Sequence, residues 1–336
     1  MKKHNSIQVL FRVNCLSDSF LNTLTLKRLI FLFLFSTCLS AQAQKIDKNE
    51  LSEKLAPAIQ RMGAMEGFTI RAMVDSFKTL RCNETEMSFV IYYWITHHIV
   101  FDSRDASLFK QANYTASSTL SERKAGAKGY AALFKAFCDV ARIKCVIVDG
   151  LAKSQPQDIG NISSKNNHSW NAVLIDNSWY NIDATWGAGT VDEHYKNFRF
   201  DYTDAWFFTN RWLFNRSHFP NKSAQPVSDD PITKISFANA PIIYPAAIIF
   251  QLKFASDTRG LLTGRAGSCK RFLITLPSTV NIHSAQLQMG AEIIALDIDH
   301  DEKYLYLDVP ILSYKKTPAL LFLNNIPALG FKMDSK

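Results

Sequence analysis

Three short segments carry residues whose types and spacing suit nucleophilic acyl chemistry. They are the turn Lys124-Ala125-Gly126-Ala127-Lys128-Gly129-Tyr130, the run His168-Ser169-Trp170-Asn171, and the run Trp179-Tyr180-Asn181-Ile182-Asp183-Ala184-Thr185-Trp186. In such chemistry a nucleophile sits at a helix N-terminus, where the dipole favours a thiolate. An imidazole across the cleft pairs with it, and a carboxylate orients the imidazole. His168 and Asp183 can supply the last two. With a two-residue turn at Asp176-Asn177, hairpin pairing sets Thr185 opposite His168 and puts Asp183 two positions along on the same face. Diagonal neighbours of that kind lie about 7–8 Å apart at the backbone, within reach of an imidazole and a carboxylate.

The elements that must position these residues follow from hydrophobic periodicity. Residues 45–100 read as helical: Leu51, Leu55, Ile59 and Met62 recur every three to four positions, and Phe89 to Ile95 is a continuous apolar stretch. A polar Ser/Thr-rich loop around 115–121 leads to a helix with Tyr130, Leu133, Phe134, Phe137 and Ala141 on one face. Lys144 to Gly150 reads as a strand, then a polar loop (151–167), then a hairpin of His168–Ile175 and Trp179–Trp186. Residues 187–230 are aromatic-rich and irregular. From about 235 short alternating stretches (250–254, 272–276, 304–307) predict a small antiparallel β-sandwich. A domain boundary is placed near Asp229-Asp230-Pro231.

Taken in order, these residues resemble the transglutaminase-like superfamily over about 85–240, in its kyphoscoliosis-peptidase-like branch. The matching stretches are Trp94 to Asp102, Gly129-Tyr130 with Phe137-Cys138-Asp139, His168-x-Trp170-Asn171, Trp179-Tyr180 through Asp183 to Trp186, and Phe207-Phe208 followed by His218-Phe219-Pro220. The resemblance implies an α+β fold, a papain/transglutaminase-like core (44–230) followed by an immunoglobulin-like β-sandwich (231–336). It also implies a Cys-His-Asp triad that acts in acyl transfer or amide hydrolysis.

The departure from that pattern is at the nucleophile. The family reads Gly-Val-Cys-x-Gly-Tyr where this chain reads Ala125-Gly126-Ala127-Lys128-Gly129-Tyr130, so the cysteine's place falls on Ala127. Losing the nucleophile of a triad enzyme costs about 10⁶ in turnover, roughly 8 kcal/mol of barrier. Cys138 lies further along the same helix, about 16 Å away at 1.5 Å per residue, and Cys145 is on a core strand. Both are expected to pack as apolar groups. The expected function is therefore an inactive transglutaminase-like module that binds or scaffolds a protein or peptide. The alternatives are an acyltransferase or peptidase with an unrecognised nucleophile, and a cell-envelope adhesion or structural protein.

Tyr130, Trp170 and Trp186 are the candidate cleft-wall residues, with core packing the competing role for both tryptophans. No metal or cofactor is expected. His97 and His98 are helix neighbours that face different ways. The acidic cluster Asp297, Asp299, Asp301, Glu302 lacks the glycine and spacing of a calcium loop and reads as a charged hairpin tip.

The chain has 336 residues, 47% hydrophobic and 20% charged, which excludes a disordered or low-complexity protein. Its six cysteines are too few for a disulfide-stapled scaffold and include no CxxC pair. Residues 1–43 read as a secretory signal peptide: Lys27-Arg28, the apolar run Leu29 to Phe35, then Ala41-Gln42-Ala43 at a cut after Ala43. The expected location is thus secreted or periplasmic, with no membrane span after cleavage. That segment holds half of the net charge of +8. The remainder is too small and scattered to point to nucleic acid.

Overall fold

The computed structural model describes residues 46–103, 114–161, 166–192, 197–221, 232–254, 258–301, 303–314 and 316–335. The signal-peptide segment, the boundary tripeptide Asp229-Asp230-Pro231 and Glu302 lie outside them. From Asp47 onward the chain is one compact unit.

The helical region resolves into α1 (Lys48–Met62), α2 (Ile70–Lys78) and α3 (Glu84–His98). Each starts where a polar side chain meets the otherwise unpaired N–H groups of the first turn. Asp47 caps α1, Thr69 caps α2, and Asn83 with Glu86 forms a full capping box on α3. Phe89 to Ile95 is buried on every side, so α3 is the central helix. Two short strands, β1 (Val100–Phe101) and β2 (Lys124–Ala125), pair in parallel around α4 (Ala116–Glu122). The sequence reading made 115–121 a loop. It is helical because Thr115 and Ser118 cap each other's backbone, a polar signal that looks like a loop in composition.

Next come α5 (Ala127–Ala141), β3 (Lys144–Ala152), β4 (His168–Ile175), β5 (Ser178–Ile182) and α6 (Ala184–Ala188). The hairpin turn has both central residues left-handed, Asp176 at φ 48° and Asn177 at φ 59°, which matches strand twist and fixes register. Asn171 therefore pairs with Ile182 and Ile175 with Ser178. The expected second strand ran to Trp186, but the ladder stops at Ile182. Asp183 leaves the sheet and caps α6, accepting from Thr185 N at 2.9 Å and Trp186 N at 3.1 Å.

The stretch read as irregular contains β6 (Gly189–Val191), β7 (Phe198–Phe200), β8 (Phe207–Thr209), α7 (Arg211–Ser217) and β9 (His218–Pro220). The central antiparallel sheet runs β8-β5-β4-β3-β9. It packs α5 on one face, where Asn171 Nδ2 donates to Ala131 O at 3.0 Å.

The remaining elements are α8 (Lys234–Asn239), β10 (Ile242–Ile243), α9 (Pro245–Ile249), β11 (Lys253–Phe254), β12 (Leu261–Gly264), β13 (Cys269–Thr275), β14 (Ala285–Met289), β15 (Glu292–Leu296), β16 (Ile298–His300), β17 (Leu305–Pro310), β18 (Thr317–Leu323) and β19 (Ile326–Ser335). The predicted strand at 250–254 shrinks to two residues because Pro245 opens a helix that Phe250 terminates. One sheet runs β10-β19-β18-β14-β15 with β12 also on β19, and the other runs β11-β13-β17-β16. They face each other through alternating buried residues, among them Leu262, Phe272, Leu307, Leu321 and Phe331, as a β-sandwich. The same apolar cluster takes in Val148, Trp170 and Ala172 of the central sheet and Phe214 of α7. No helix among the described residues is long and apolar enough to cross a membrane.

Candidate functional site

Asp183 organises the site. It is fully buried, and its backbone N–H donates to Trp206 O at 3.0 Å. The loop presenting that carbonyl is tied down by Lys48, whose Nζ donates to Asp204 O at 3.0 Å and Ala205 O at 3.2 Å. With Oδ1 occupied by the two α6 amides, the carboxylate rotamer is set and Oδ2 points away from the helix it caps. His168 Nε2 lies 2.7 Å from Oδ2, and His218 Nε2 lies 3.0 Å from the same atom. A single carboxylate oxygen thus receives two imidazole N–H groups.

Burial by itself pushes the Asp183 carboxyl up. The charge interaction with His168 and its hydrogen bond, followed by those of His218, outweigh burial and hold the carboxyl well below the usual range. His218 shows the opposite balance. Complete burial drives it down to about 4 despite the hydrogen bond and charge of Asp183. At neutral pH it is a neutral ring, its Nε2 facing the carboxylate and its buried Nδ1 left with only the backbone of Phe214 as a neighbouring hydrogen-bonding group. Its walls are aromatic: Phe214 stacks on it at 3.9 Å, with Trp186 at 4.4 Å, Trp170 at 5.0 Å and Trp206 at 5.7 Å.

The three groups offer ligating atoms within 4.8 Å of one another, a set that a transition metal can use. The distances are those of charge-assisted hydrogen bonds, and we read the group as a hydrogen-bond network.

Ala127 is the first residue of α5 and is 9% exposed; Gly126, its N-cap, offers no side chain to the free amides. Of the expected wall residues, Trp170 (3% exposed) and Tyr130 (1%) are core, with the Tyr130 hydroxyl donating to the Ile99 carbonyl. Trp186 alone of the three is half-buried. His97 and His98 each turn Nδ1 back to their own helix, 2.7 Å from Tyr93 O and 2.8 Å from Trp94 O. Of the acidic run, Asp299 lies on β16 and Asp301 at the tip of the β16–β17 hairpin, its Oδ1 accepting from Lys303 N and Tyr304 N.

Neither Cys138 nor Cys82 offers an activated thiol. Cys138 is fully buried on α5 and its thiol is pushed well up, first by burial and then by Cys145. Cys82, outside this site, is pushed up to about 11, mainly by burial. Activated thiols move the other way.

His218 is the site residue that sequence reasoning missed. It lies 35 positions from Asp183 and arrives only because β9 pairs with β3, with Gly150 standing opposite both His168 and Pro220.

Residues 71–184 match the Transglutaminase-like superfamily. The chain is 30% identical over 191 residues to the kyphoscoliosis peptidase of Mus musculus, covering 56% of this chain and 29% of that protein. It is 33% identical over 150 residues to its Homo sapiens counterpart, covering 44% and 23%. Hillarin of Drosophila melanogaster is 29% identical over 149 residues, covering 41% and 18%. The chain thus spans less than a third of the length of these relatives. Residues 71–184 thus match a transglutaminase-like domain, with similarity to kyphoscoliosis peptidase, and an antiparallel β-sandwich follows.

Proposed function

We propose that this protein keeps the imidazole–carboxylate half of an acyl-transfer site, has lost the nucleophile at Ala127, and works as an exported binding or scaffolding module for a protein or peptide. Two things support the reading: an ordered dyad, and an alanine at the position that aligns with the family's nucleophile. His168 and Asp183 are joined at 2.7 Å with the carboxylate fully ordered by four donors, while the first residue of α5 ends in a methyl group. A dyad so completely hydrogen-bonded persists because it also pins the hairpin to α6, without any need for turnover. Export rests on the Lys27-Arg28 and apolar segment ahead of Ala43.

The test is to compare the native chain with the Ala127→Cys variant on glutamine-containing peptides and amide substrates. The native chain is expected to show no turnover, and the variant to gain amidase or transamidase activity and stoichiometric labelling by a thiol probe at neutral pH. Turnover by the native chain overturns the inactive reading. A variant that folds, yet neither labels nor turns over, overturns the assignment of Ala127.

A further inference from the structure

We propose that His218 is a positioning residue of this site: its Nε2–H shares Asp183 Oδ2 with His168, and this sharing sets both the orientation of the carboxylate and how strongly it draws on the His168 imidazole. The inference deepens the reading above and rests on it where Ala127 is concerned.

Three features of His218 are unexplained by packing alone. Its pocket is walled by Phe214, Trp170, Trp186 and Trp206, a surrounding that a phenylalanine ring would fill without burying two polar nitrogens. The ring nevertheless places Nε2 at 3.0 Å from a carboxylate oxygen that already has an imidazole at 2.7 Å. And β9 is held against the central sheet at the strand position opposite His168, because Gly150 faces both strands. A Cβ there would stand 2.2 Å from Phe219 O. The sheet is thus built to bring a second imidazole to the dyad.

A carboxylate with a second N–H donor gives less of its charge to the first. The ionisable groups facing His218 are Asp183, at the start of α6, and His168, from β4. Tyr92 of α3 and Tyr130 of α5 feel the Asp183 charge, both phenols being pushed up first by burial. Both phenols are engaged elsewhere, Tyr92 donating to Thr203 O and Tyr130 to Ile99 O.

The experiment uses the full chain carrying Ala127→Cys and follows iodoacetamide alkylation of the introduced thiol against pH. Adding His218→Phe should lower the alkylation midpoint by about one pH unit, because Asp183 then strengthens the imidazolium that partners the thiolate. Adding His218→Gln, which keeps an N–H donor, should leave the midpoint near that of Ala127→Cys alone. A folded His218→Phe chain with an unmoved midpoint overturns the proposal and leaves His218 as core filling. If the introduced thiol titrates like a free cysteine, it is the assignment of Ala127 that fails. Nitrogen-15 NMR of the histidines in the native chain then decides independently, and also where His218→Phe does not fold. His218 protonated on Nε2 and bare on Nδ1 supports the proposal, and the opposite tautomer overturns it.

Discussion

Mild acid should destabilise this protein through His218, in a window set by that one ring. The ordinary histidine value is 6.5 and the folded one is lowered to about 4. Between those values the unfolded chain binds a proton that the folded chain refuses, so stability falls as pH falls. At about 1.4 kcal/mol per unit, the loss from pH 7 to about pH 4.5 is on the order of 2–3 kcal/mol, a large share of a typical domain's stability. Other groups fall outside the window or can be subtracted. Asp183, with its carboxyl depressed, loses its contribution only below the ordinary carboxylate value of 3.8. Lys48 and Lys153, lowered by burial to about 8 and about 7, are protonated in both states through the window. His97 and His98 are also lowered by burial and act with the same sign, so the difference between native and His218→Phe chains is the quantity to read. Urea unfolding followed by tryptophan fluorescence at several pH values provides it. The native chain should lose stability across the window, and the variant should lose about 2–3 kcal/mol less. Equal slopes in the two chains would refute the argument.

Two further outcomes follow from packing. Gly150→Ala puts a Cβ 2.2 Å from a backbone oxygen and 2.7 Å from Trp170 Cη2. β9 must then shift, lowering stability by about 1–3 kcal/mol and changing the His218 NMR signals more than those of His97. Leu321→Ala, at a fully buried position in the sandwich, should cost about 2–5 kcal/mol in urea unfolding. A loss under about 1 kcal/mol would show that the sandwich core is not packed as described.

Local chemistry made part of this legible in sequence. The Asp176-Asn177 turn dictates the β4–β5 register, and the spacing of Leu51, Leu55 and Ile59 marks the buried face of α1. What was hidden depends on partners remote in sequence or on polar signals with two meanings. Thr115 and Ser118 resemble loop residues until they cap each other. Asp183 continues a strand pattern until its side chain finds the α6 amides. His218 stands in a stretch that the resemblance picked out, but its spacing gives no link to Asp183, which only the β3–β9 pairing supplies. Helices α8 and α9 hid inside an alternating apolar texture that reads equally well as strand.

Strand β19 has a bearing on how the molecule is made. It lies between β18 and β10 and also receives β12 in parallel, so three earlier strands wait on residues 326–335 for their ladder. A ribosome releasing this chain therefore delivers the sandwich's keystone after everything that leans on it. Until then β10, β12 and β18 have unsatisfied edges, open to pairing with a neighbouring nascent chain. Holdase protection until residues 326–335 have emerged should consequently matter more for this half of the protein than for the half that carries the dyad.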